Sequence, residues 1–104
     1  MKDQLLKLAR EIISLCDKIL GNESSPNKDV IKLIKREFEG QCDSLINDNK
    51  VKVLNSKYDL WAVRTIYDSA FFKYDQNLFE KVFEFANMCK HLKKSEVIIM
   101  YSNG

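Results

Sequence analysis

A chain of 104 residues has room for one domain, residues 1–104, and its 45% apolar and 31% charged content is that of a globular protein. One proline and three glycines are too few for an all-β protein, which needs a turn roughly every 8–12 residues, and they suit long helices joined by short loops. The net charge of +2 arises from 17 basic and 15 acidic side chains mixed along the whole chain, so neither half is the basic arm or acidic tail of a strong nucleic-acid footprint.

The first predicted helix is the clearest. Leu5, Leu8, Ala9, Ile12, Ile13, Cys16, Ile19 and Leu20 recur at three- and four-residue steps, filling about half the helix circumference. Lys7, Arg10, Glu11, Ser14 and Lys18 take the other half. Gly21 follows the last apolar residue, where a left-handed C-terminal cap is expected. After a polar loop, Ser25-Pro26 reads as an N-cap and first helical position. Val30, Ile34, Phe38, Cys42 and Leu45 then carry a second helix to about Ile46. Gly40 lies within it and weakens it, a place for a bend or an end, but the apolar phase continues past the glycine and the helix is taken on to Ile46.

Asn47–Lys50 is predicted as a loop and Val51–Leu54 as a short strand. Asn55 or Ser56 caps a third helix running to about Phe72. Asp75 or Asn77 caps a fourth, Asn77 having Glu80 at capping-box spacing. Leu78, Val82, Phe85, Cys89 and Leu92 form the fourth helix's stripe, and Lys90, His91, Lys93 and Lys94 crowd its end, where cations suit the helix dipole. Residues 97–101 are a β-branched run whose period does not decide between strand and helix. The expected fold is all-α: an antiparallel four-helix bundle, with a minor two-stranded pairing of 51–54 with 97–101 as the variant that would make it α+β.

Cys16, Cys42 and Cys89 are odd in number, widely spaced and placed on apolar stripes, as core thiols rather than a disulfide framework or zinc ligands. With Lys2, Asp3 and an amphipathic rather than continuously apolar first segment, this predicts a cytoplasmic protein with no signal peptide and no membrane association. His91 is the sole histidine, and Cys89 lies on a different side of the helix. No phosphate-binding glycine loop or metal motif is present in the sequence, so neither catalysis nor a cofactor is expected.

The third predicted helix carries the functional lead. With Leu60 as the origin of its wheel, Val63, Tyr67, Ala70 and Phe71 cluster on one side, and Trp61 and Phe72 fall about 100–120° away. Arg64 and Asp68 lie between these groups. Either the helix is enclosed by its neighbours, with Arg64 and Asp68 paired at the core margin, or Trp61, Arg64, Asp68 and Phe72 form an aromatic and arginine patch of the kind that dominates protein interfaces. The second reading makes the chain a non-catalytic interaction module for a protein partner or a second copy of itself. Size and expected architecture are similar to those of small helical immunity proteins, an analogy of fold only. The alternative is weak nucleic-acid binding by Lys32, Lys35, Arg36, Lys90, Lys93 and Lys94, whose signature is a steep fall of affinity with salt. A third option is a small-molecule site within the bundle near Arg64, Tyr67 and Asp68.

Overall fold

The computed structural model describes residues 2–22, 28–53, 63, 76–92 and 97–101. Among these the chain is mostly helical, in the order α1 (Lys2–Leu20), α2 (Lys28–Asp48), β1 (Lys50–Val53), α3 (Gln76–Lys90) and β2 (Ile98–Tyr101). α3 is the fourth of the helices expected from the sequence. The expected third, 56–72, lies outside the described residues except for Val63, which is helical. Three helices are therefore described, and the four-helix count is not shown.

α1 buries Leu5, Leu8, Ala9, Ile12 and Cys16, the stripe its periodicity marks. It ends differently from expectation. Gly21 does not take positive φ. Its N–H continues the helical ladder to the Asp17 carbonyl at 3.0 Å, and Asn22 N–H closes onto Ile19 at 3.1 Å, so a tightened last turn satisfies the terminal carbonyls without a left-handed residue. The left-handed residue is instead Asn49, with φ 55°. It stands alone between α2 and β1, where the chain turns from helix to strand in one step, and asparagine is among the few side chains that tolerate this conformation.

The proposed Ser25-Pro26 start of α2 falls outside the described residues. The helix itself passes through Gly40 without interruption and continues to Asp48, two residues past the expected end. Among the described residues, a Cβ built on Gly40 meets nothing within 4 Å. Gly40→Ala is thus expected to raise stability by about 1 kcal/mol, the helix-propensity difference alone, seen as a higher denaturation midpoint. α3 starts at Gln76, so Asn77 lies inside the helix rather than capping it.

The two strands pair in parallel, with Lys50 opposite Ile98 and Val53 opposite Tyr101. A parallel pair requires a long crossover, here the chain that contains α3. Val51 and Val53 point into the core and Lys52 points out. The other edge of β1 lies on α2, where Gln41 makes a two-point hydrogen bond to the strand. Its Nε2 donates to the Lys52 carbonyl at 2.6 Å, and Lys52 N–H donates to its Oε1 at 2.9 Å. A primary amide has the donor and acceptor arrangement of a peptide group, so Gln41 occupies the position of a third strand. Successive residues of a strand direct their main-chain groups to opposite edges, so those of Val51 and Val53 face β2.

One core joins these elements. Ion pairs tie α1 to both other helices, Asp17 to Lys35 of α2 and Glu11 to Lys81 of α3. Phe38 of α2 and Phe85 of α3 meet edge-to-face, with centroids 5.0 Å apart and planes at 89°. Val51, Val53 and Val97 complete the same cluster, and Val63 packs against it.

Candidate functional site

Trp61, Arg64, Asp68 and Phe72 lie outside the described residues, as does Tyr67. Of the predicted third helix only Val63 is described, and it is partly buried against the core.

The described basic residues of the nucleic-acid alternative stand on two helices, α2 and α3. Lys32 and Arg36 are exposed on α2, and Lys90 is exposed at the end of α3, while Lys93 and Lys94 fall outside the described residues. Lys35 reaches across to α1 and binds Asp17 at 2.6 Å. The Asp17 carboxylate raises the Lys35 pKa, first by accepting its hydrogen bond and then by its charge. Lys35 is thus committed to joining two helices. α2 as a whole carries four basic and five acidic residues, so its basic run is offset on its own helix.

A feature the sequence did not suggest is an open groove of about 440 Å³ between α1 and α3. Gln4, Lys7 and Glu11 line it from α1, and Glu84, Asn87 and His91 from the α3 side, with Leu8 and Met88 also in its lining. Each set is a polar ridge at helical spacing, visible on its own wheel. Which ridges face each other depends on how the helices dock, and local periodicity does not contain that. Glu11 accepts a hydrogen bond from Lys81 Nζ at 2.9 Å. That bond is the main reason its pKa is lowered, and the nearby charges of Lys81 and Lys7 act in the same sense. The groove therefore has mixed sign, with one of its two carboxylates held by a lysine. Among the described residues, no group of three or more His, Cys, Asp or Glu side chains is arranged to hold a metal ion.

The three cysteines are buried thiols. Cys16 and Cys89 have no exposure and Cys42 is 8% exposed. Burial alone pushes the Cys89 thiol up to about 12, and burial is also the main cause of the rise at Cys42. A thiol reacts as its thiolate. Under native conditions a thiol reagent is expected to label Cys42 first, with Cys16 and Cys89 modified only as fast as the core opens. Mass spectrometry after timed quenching distinguishes the three, and rapid native labelling of Cys89 would contradict the buried placement.

Among the described residues no helix is long and apolar enough to cross a membrane. The chain matches no protein-family model, and no significantly similar curated protein or solved structure is found.

Proposed function

We propose that the protein is a small interaction module that docks a protein partner, another chain or a second copy, through Trp61, Arg64, Asp68 and Phe72. The observation that carries this reading is the state of Val63, helical and turned toward the core. Val63 supplies a reference direction for the helix expected over 56–72. Measured from it, an ideal helix carries Tyr67 and Ala70 within about 40° of the same direction, and Arg64, Asp68, Trp61 and Phe72 at about 100°, 140°, 160° and 180°. On that ideal wheel the four candidate residues share one side, with the two aromatics opposite the Val63 direction. An aromatic pair beside an arginine and a carboxylate supplies both apolar area and polar orientation, the usual composition of an interface hot spot.

The chain contains a single tryptophan, so its fluorescence reports on this position directly. The isolated protein is expected to show red-shifted emission accessible to acrylamide, and shielding of the indole on association. Trp61→Ala is expected to remove the association while leaving the helical circular dichroism unchanged. A blue-shifted indole that acrylamide does not reach, in a protein shown by light scattering to be monomeric, would remove the proposed surface.

A further inference from the structure

A second candidate surface, argued without Trp61, lies on the outer face of α2. Lys32, Leu33, Arg36, Glu39 and Asp43 are all exposed there, and Leu33 is 55% exposed although it is a leucine. On the helical wheel these five residues fall within about 120° of one another, with Gly40 among them. The charges on this face are segregated along the axis, with Lys32 and Arg36 in the N-terminal half and Glu39 and Asp43 in the C-terminal half.

Within this face the like-charge pairs work against the helix that carries them, although Glu39 also has Lys35 one turn before it. Lys32 and Arg36 are like charges at i,i+4, and so are Glu39 and Asp43. Such pairs destabilise a helix, whereas alternation of sign at this spacing would support it. The last turn contains Asp48 and no basic residue, the reverse of what the dipole favours. A surface serving only solubility and helix stability has no need of this pattern, and local rules tend to be broken where a surface does something else.

A face that is positive at one end and negative at the other is complementary to itself when turned end for end. We propose that the outer face of α2 binds a second copy of this chain, antiparallel, about a two-fold axis near residues 37–38. In this arrangement Lys32 lies near the other copy's Asp43 and Arg36 near its Glu39, and the two-fold repeats each pair. Leu33 lies near Gly40 of the other copy, where the absence of a side chain admits it, since no described residue comes within 4 Å of a would-be Cβ there. Antiparallel apposition also sets the two helix dipoles against each other favourably.

The test is sedimentation velocity on the full chain at low and high salt, with circular dichroism to confirm folding of each variant. The wild type is expected to form dimers at low salt that weaken at high salt. Arg36→Glu is expected to raise the dimer Kd by at least roughly tenfold, because it places like charges opposite each other. Glu39→Arg is expected to do the same. The double variant Arg36→Glu/Glu39→Arg restores opposite charges across the two-fold and is expected to recover the dimer. A wild type that stays monomeric at low salt overturns the proposal. So does a dimer indifferent to Arg36→Glu, or a folded double variant that fails to recover. A dimer lost with Trp61→Ala and retained with Arg36→Glu assigns self-association to the tryptophan surface instead, so the two surfaces are separable by the same measurement.

Discussion

Replacing Phe38 with alanine is expected to cost about 4 kcal/mol of folding stability, as for other fully buried aromatics truncated in a closed core. Phe38 has no exposure and its ring meets Phe85 edge-to-face at 5.0 Å. The loss combines transfer of a large apolar side chain with the cavity left between α2 and α3, because neighbours held by their own helices close it only in part. Against a total of roughly 5–15 kcal/mol for a domain, this brings the variant close to its unfolding threshold. Urea denaturation followed by circular dichroism gives the number. Combined with Phe85→Ala in a double-mutant cycle, it separates the ring–ring contribution, expected near ~1 kcal/mol, from simple burial. A loss below about 1 kcal/mol for Phe38→Ala would mean that the site is not closed as described.

The second large effect is expected at Gln41, which is 2% exposed and makes both side-chain hydrogen bonds to Lys52 of β1. Gln41→Ala leaves a strand N–H and C=O without partners against the helix, and about 2–3 kcal/mol of destabilisation follows. Gln41→Glu is the more discriminating variant because it keeps the shape. Its carboxylate still accepts from Lys52 N–H but sets a second negative oxygen against the Lys52 carbonyl. Only the protonated acid can donate there, so the folded-state pKa of this glutamate is expected above its unfolded value. Stability relative to wild type should then be best preserved below the unfolded carboxylate pKa and lost as pH rises through the folded one. A pH series of urea titrations on the two proteins tests the sign, and a Gln41→Glu variant that gains relative stability toward neutral pH would contradict the hydrogen-bond assignment.

The helices were legible in the sequence because their burial is periodic. The stripe from Leu5 to Cys16, and the one from Leu78 to Cys89, follow from three- and four-residue spacing, and the structure buries those residues. The passage of α2 through Gly40 was legible as well, because the apolar phase continues past the glycine. A propensity cost of about 1 kcal/mol is small beside the burial of Phe38, Cys42 and Leu45 on either side of it, and tertiary packing carries the helix through. Gln41 was not legible as a buried residue. Nothing local distinguishes it from any polar residue at a stripe's margin, and its hydrogen bonds form only because β1 folds back along α2 to bring Lys52 to it. The exchange of roles between Gly21 and Asn49 has a similar origin. A glycine permits a left-handed residue but does not require one, whereas the immediate start of β1 after Asp48 imposes it on whatever stands at 49. The candidate surface around Trp61 rested on the apolar surplus of its helix, and Val63 is the described residue that bears on it.

The parallel pairing of β1 with β2 also sets a timetable. During synthesis the α1–α2 hairpin and β1 leave the ribosome well before β2, which follows only after the crossover has been made. A nascent strand with bare polar edges is the kind of segment that pairs with the wrong neighbour. Gln41 precedes β1 in the chain and can engage Lys52 as soon as the strand appears. One edge is thereby occupied throughout the wait, and only the edge reserved for β2 stands open until its own partner arrives.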